Sequence, residues 1–309
     1  MLQQTQVATV LPYYARFLER FPGLQDLATA PLGEVMVLWS GLGYYARARN
    51  LHACARVVVS EYGGQFPTDP ETLRALPGIG RSTANSIATF CFAARAPILD
   101  GNVKRVLTRA FGVEGFPGNA AVEKQLWSLA ETLMPAKHGD IYNQAQMDLG
   151  ATLCTRSKPR CIECPLREIC VAHATNRQAE LPHRKARREL PQREVTLLIL
   201  RSKNRVLLER RPPAGIWGGL LSLPELPDAL DVEYFAQHRY GCQLNGVLPA
   251  PTGIYTFTHF RLHITPLICD VTAHSHAMES GLEWHHLGDL ENIALPAPIK
   301  KLLTALDLR

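Results

Sequence analysis

The feature that most confines this sequence is a group of four cysteines, Cys154, Cys161, Cys164 and Cys170, spaced C-x6-C-x2-C-x5-C within seventeen residues. Loops this short return every sulfur to nearly the same point, so the segment is expected to close around a metal centre. Disulfides are the competing use, and the opening residues MLQQTQV carry neither the basic flank nor the apolar core of a secretory leader. Zinc is the competing metal. A zinc ribbon offers two C-x2-C knuckles and only one is present here, so the spacing favours an iron–sulfur cubane. The remaining cysteines, Cys54, Cys91, Cys242 and Cys269, stand among apolar neighbours and are expected to be core thiols.

A chain of 309 residues can bury two cores of ordinary size. Hydrophobic residues make up 46% and charged residues 20%, which excludes a disordered or fibrous chain, and no apolar run is long enough to cross a bilayer, so a cytoplasmic protein is expected. From Leu2 to about Thr175, apolar residues recur at three and four between Gly/Pro breaks, the pattern of helices. Residues 176–193, NRQAELPHRKARRELPQR, are charged and poor in large apolar side chains and read as a basic linker. Beyond them EVTLLIL and NRVLLER form a hairpin pattern around a short polar turn, and HFRLHITPLICDV reads as a further strand. The expected division is therefore 1–175, all-α; 176–193, linker; and 194–309, α+β.

The net charge of +5 is modest, but its basic residues crowd at Arg47, Arg49 and Arg56, at Lys104, Arg105 and Arg109, and at Arg184, Lys185, Arg187 and Arg188. A polyanionic partner is the expectation. Leu76-Pro77-Gly78-Ile79-Gly80-Arg81-Ser82 joins two helical stretches, and its glycines let the backbone point N–H groups outward at a helix start, a cradle for a phosphate. Alone, such a GxG is more often a plain turn. Twenty residues after Gly80 comes Asp100 in ILDGNVKRVL, a carboxylate that by itself reads as a helix N-cap.

LPGIGRSTA, ILDGNVKRVL and the cysteine group together resemble the helix-hairpin-helix glycosylase superfamily, and GLGYYARARN, NQAQMDLGA and CTRSKPRC narrow the resemblance to the MutY-type adenine glycosylases. The resemblance implies excision of adenine mispaired with 8-oxoguanine or guanine in double-stranded DNA, and one [4Fe-4S] cluster per chain on the four cysteines. It casts Asp100 as the anion facing the sugar while the N-glycosidic bond breaks, because an oxocarbenium-like transition state needs a fixed negative charge beside it. Gln4 and Tyr44 resemble residues that fill the stack when adenine is flipped out, with Leu2 and Thr5 in the same stretch. Gly78 and Gly80 would hold a phosphate, and Lys104 would lie near the site. Simple packing is the alternative for Tyr44. Where strand-cutting relatives carry a lysine, this chain has Ser82, which implies base release without a Schiff base.

The family's general-acid glutamate would stand two residues ahead of Met1. Either the start is assigned late, or a shortened form binds and hardly cleaves; the intact later motifs favour the first. Glu34 is not expected to take the role. RVLLERRPPAGIWGGLLSLPE resembles a Nudix-like domain, yet Gln237 and His238 stand where paired glutamates would hold magnesium, so pyrophosphohydrolysis is not expected. The resemblance implies that this domain reads 8-oxoguanine through Phe257, Thr258 and His259, with strand packing the alternative for Phe257. The overall expectation is a monomer: an all-α helix-hairpin-helix glycosylase domain with a cluster loop, followed by an α+β Nudix-like domain. Its rivals are a bifunctional glycosylase/lyase of the endonuclease III kind and a lesion-binding protein without turnover.

Overall fold

A computed structural model of the chain describes residues 1–185, 189–213, 215–273 and 281–307. Arg187 and Arg188 of the basic linker lie outside them. The first half is helical: α1 Val7–Arg20, α2 Leu24–Thr29, α3 Leu32–Trp39, α4 Ala46–Tyr62, α5 Pro70–Ala75, α6 Arg81–Phe92, α7 Gly101–Phe111, α8 Ala120–Leu133, α9 Gly139–Asp148 and the short α10 Val171–Ala174. Local chemistry accounts for the boundaries. Asp69 caps α5 with Pro70 just inside it, Asp100 caps α7, Asn119 caps α8, and α7 stops at Gly112 in the left-handed conformation.

The second half adds β1 Gln192–Ser202, β2 Arg205–Arg210, β3 Leu221–Ser222, β4 Glu225–Leu226, α11 Val232–Tyr240, β5 Cys242–Pro249, β6 Gly253–Thr256, β7 Arg261–Ala273, β8 Leu282–His286 and α12 Ala297–Asp307. The sheet runs β3-β2-β1-β7-β5, with β4 on β1, β6 on β7 and β8 on β2. β1 and β2 form the expected hairpin, and β1 lies parallel to β7 with Leu198 opposite Leu267. Leu197 to Leu200 are buried without interruption because both faces of the sheet are covered. Leu197 and Ile199 pack with Ile299 and Leu303 of α12, whereas Leu198 and Leu200 pack with Ala236 of α11.

Two compact units emerge, Met1–Arg56 with Arg188–Arg309, and Val57–Arg187, dividing the chain within α4. One cut, between residues 187 and 188, falls inside the expected linker 176–193; the other, within α4, was not expected and groups Met1–Arg56 with the second half of the chain. In the first unit Val10, Phe17, Val35, Met36 and Trp39 share one buried cluster with Leu220 and Ala294. Ser40 Oγ donates to the Leu295 carbonyl at 3.1 Å, and Arg49 donates to the Gly218 carbonyl at 2.6 Å. In the second unit α5 and α6 form a helical hairpin, and α7 packs on α8 and α9. Cys54, Cys242 and Cys269 are buried as expected, and burial pushes their thiols up, Cys269 to about 11. Cys91 corrects the expectation: it is exposed near the end of α6.

Candidate active site and cysteine cluster

The second unit builds a site around the segment that delivers Asp100. Four successive residues before it are each held through the backbone by a side chain of α6 or α9. Thr89 Oγ1 and Asn143 Nδ2 donate to the Ala96 carbonyl at 2.8 and 2.9 Å, and Asn85 Nδ2 donates to the Pro97 carbonyl at 2.7 Å. The Ile98 N–H donates to Asn143 Oδ1, and the Leu99 N–H donates to Ser82 Oγ, both at 3.2 Å. Asn85, Thr89 and Asn143 are buried, where an unpaired amide or hydroxyl is costly, so these contacts fix the segment rather than decorate it.

Asp100 follows directly. Its Oδ1 accepts the Val103 N–H at 2.8 Å, so it is a true N-cap of α7. Among the described residues Oδ2 accepts no hydrogen bond, which leaves half the carboxylate available to a ligand at the positive end of a helix. The glycine turn is a second helix start. Gly78 has φ +77°, and Gly80 caps α6 with no side-chain acceptor, so the first N–H groups of α6 are left for an external anion.

Lys104 is engaged with Glu123 of α8 at 2.6 Å, and a phosphate would have to displace that carboxylate. Arg105 and Arg109, read in the sequence as part of a basic crowd for a polyanion, turn inward. Arg105 donates to the Cys154 and Gly150 carbonyls, each at 2.7 Å. Arg109, 3% exposed, donates to the Leu181, Thr155 and Arg156 carbonyls at 2.9, 2.8 and 3.2 Å and lies 3.3 Å from Cys154 Sγ. The helix capped by Asp100 thus also holds the start of the cysteine loop.

Cys154, Cys161, Cys164 and Cys170 line one small cavity, partly open to solvent, together with Arg109, and none is in a disulfide. Burial, and then the thiols of Cys154, Cys170 and Cys164, push Cys161 up. Among the described residues no three His, Cys, Asp or Glu side chains gather closely enough to hold a single ion.

In the first unit, Leu2, Gln4 and Tyr44 are exposed and Thr5 is half-buried. Tyr44, 49% exposed, is not a packing residue. Gln4 and Tyr44 both hold left-handed backbone, at φ +60° and +49°. Glu34 is bound by Arg20 through both oxygens at 2.8 Å. In the sheet, Phe257 stacks on Phe260 at 4.7 Å and lies 6.3 Å from Trp217, while Thr258 and His259 are exposed at the tip of the same loop. Phe257 therefore packs, and the loop it anchors presents polar groups. Glu225 is paired with Arg211 at 2.8 Å, and Gln237 and His238 lie on α11.

Residues 1–132 match the HhH-GPD superfamily of base excision DNA repair proteins, and residues 195–305 match the NUDIX domain. The adenine DNA glycosylase of Buchnera aphidicola subsp. Baizongia pistaciae is 36% identical over 98% of this chain and 86% of its own length. That of Rattus norvegicus is 35% identical over 98% of this chain and 69% of its own. Among solved structures, a thermostable thymine-DNA glycosylase superposes with a TM-score of 0.51 at 30% identity, covering 56% of this chain and 80% of its own. A non-covalent endonuclease III–DNA complex superposes with a TM-score of 0.50 at 27% identity, covering 57% of this chain and 80% of that one.

Proposed function

The chain belongs to the adenine DNA glycosylases of the helix-hairpin-helix base excision repair superfamily, and on that premise we propose which mispair it acts on and which residues do the work. It is a DNA glycosylase that hydrolyses the N-glycosyl bond of adenine. The substrate is double-stranded DNA in which that adenine faces 8-oxoguanine or guanine, the protein acts as a monomer, and its place of work is the bacterial cytoplasm.

The observation that carries the reading is the fixed placement of Asp100, with one oxygen capping α7 and the other free. As the bond between adenine and the sugar breaks, positive charge develops on the sugar, and the free carboxylate oxygen stabilises or captures it. Adenine leaves with an added proton, and water supplies the oxygen that finally bonds to the anomeric carbon. The resemblance assigns that proton to a glutamate acting as general acid. Glu34 does not replace it, being engaged with Arg20. Gly78 and Gly80 take a backbone phosphate on the start of α6, and Ser82 and Lys104 belong to the same DNA-binding set. Leu2, Gln4, Thr5 and Tyr44 fill the stack vacated by adenine, and Thr258 and His259, on a loop anchored by Phe257, read the 8-oxoguanine side.

Cys154, Cys161, Cys164 and Cys170 would hold one [4Fe-4S] cluster, and their thiolates would then tie the 154–170 loop into a single body. No step of the excision passes through it. Single-turnover release of adenine from duplexes with adenine opposite 8-oxoguanine, guanine or thymine tests the reading, using this chain and its Asp100→Asn variant. Release from the first two duplexes, slower in Asp100→Asn by about a hundredfold or more, is expected. Equal rates in the two proteins would overturn the role of Asp100, and release from the thymine pair alone would overturn the mispair assignment.

A further inference from the structure

Arg47 stands in the crowd of basic residues that the sequence marks for a polyanion, but its guanidinium does not face outward. One nitrogen, NH1, donates to the Met1 carbonyl at 2.5 Å and also to the Gln3 carbonyl. The other, NH2, donates to the Leu42 and Gly43 carbonyls at 3.3 and 3.1 Å. The same group lies 5.5 Å from the Trp39 ring and 5.2 Å from the Tyr44 ring. Trp39 is fully buried and its indole N–H donates to the Gly43 carbonyl at 3.2 Å, so the platform under the arginine is rigid.

The two turns joined in this way are both unfavourable by themselves. One carries Gln4 at φ +60°, and the other carries Gly41, Gly43 and Tyr44 at φ +93°, +74° and +49°. Non-glycine residues in this region cost free energy and persist only where surrounding contacts over-determine them. Both turns also expose large or polar side chains without covering them, Leu2 at 59% and Tyr44 at 49%. A guanidinium is suited to such a junction, because its planar fork reaches two acceptor pairs at once and still stacks on an aromatic face.

We infer that Arg47 is a positioning residue that ties the Leu2–Gln4 turn to the Gly41–Tyr44 turn, so that Gln4 and Tyr44 enter the DNA stack as one preassembled wedge. The inference rests on the reading of Gln4 and Tyr44 as stack-filling residues. A wedge made of two independently mobile turns loses its ordering entropy on every encounter, and the clamp removes that cost before DNA arrives.

The test uses the full chain and a duplex with 2-aminopurine as the target base opposite 8-oxoguanine, whose fluorescence rises on unstacking. It compares the unmodified chain with Y44A, R47A, R47K and the double variant, with thermal melting and binding to a lesion-free duplex in parallel. Loss of the clamp is expected to cut the unstacking equilibrium about tenfold to a hundredfold in R47A, with affinity for the lesion-free duplex within about twofold. R47K falls between, since an ammonium cannot fork across two turns. The double variant should be no worse than Y44A, because both changes disable one wedge. Full unstacking by R47A when Y44A has lost it overturns the inference alone, as does an R47A loss that adds in full to that of Y44A. Full unstacking by Y44A overturns the reading of Tyr44 and the inference with it. Should R47A prove unfolded by melting, R47K is judged by the same criteria.

Discussion

Asn143 in α9 bridges Ala96 and Ile98 in the segment that leads to Asp100: its Nδ2 donates to the Ala96 carbonyl at 2.9 Å and its Oδ1 accepts the Ile98 N–H at 3.2 Å. It is 1% exposed. The Ala96 carbonyl has Thr89 as a second donor, whereas the Ile98 N–H depends on Asn143. Asn143→Ala therefore leaves a buried donor unpaired and is expected to lower stability by about 1–3 kcal/mol in urea unfolding, with the slope unchanged. Asn143→Asp should be worse, since it turns a carboxylate toward the Ala96 carbonyl in a buried place. Stability unaltered in Asn143→Asp would show that the segment is held by other means.

Asp100 does two jobs that a single substitution can separate. As an N-cap, it needs only an oxygen for the Val103 N–H, and asparagine caps as well as aspartate. As the sugar-facing anion, it needs charge. Asp100→Asn should keep stability within about 0.5 kcal/mol and slow adenine release by about a hundredfold or more. Asp100→Ala should lose the same activity and about 1 kcal/mol of stability besides. Release by Asp100→Asn at the parent rate would reduce Asp100 to a cap.

The cap at Asp100 and the gathering of the four cysteines were legible in the sequence because their signals are local: a carboxylate at a helix start and thiols at short spacing. Ser82, Asn85, Thr89 and Asn143 meet the segment 96–99 through its backbone, and an amide or carbonyl partner leaves no mark on the sequence. The same blindness made Arg47, Arg105 and Arg109 look like surface charge when all three bind carbonyls. The joining of Met1–Arg56 to the sheet was also hidden, since Leu220 and Ala294 lie far along the chain from the helices they cover. Strands were easier: the unbroken buried run Leu197–Leu200 is what a strand covered on both faces requires.

Arg109 ties the cysteine loop to α7 through the Thr155 and Arg156 carbonyls and lies beside Cys154 Sγ. Lysine cannot reproduce that fork. Arg109→Lys is expected to reduce iron per chain and the visible charge-transfer absorption together, while Lys104→Ala on the same helix leaves both intact. Cys161→Ser should abolish the absorption. Stoichiometric zinc in the unmodified protein, or full iron in Arg109→Lys, would defeat this account of the loop.

Ser82 separates base release alone from release followed by strand cutting. A lyase needs an amine that attacks the sugar carbon and retains it as a Schiff base, and borohydride reduction then leaves a permanent protein–DNA bond. Ser82 carries a hydroxyl, and its Oγ already accepts the Leu99 N–H at 3.2 Å, so it is committed to holding the segment ahead of Asp100. No adduct should be trapped from the adenine:8-oxoguanine duplex under conditions in which an endonuclease III control is trapped, and the product strand should break only after alkali. Ser82→Ala is expected to lower stability by about 1 kcal/mol through the lost acceptor, still without trapping. Ser82→Lys makes the arrangement itself testable: an amine at that position begins to yield a trapped adduct if position 82 faces the sugar, and an absence of adduct from a folded, DNA-binding Ser82→Lys would show that it does not.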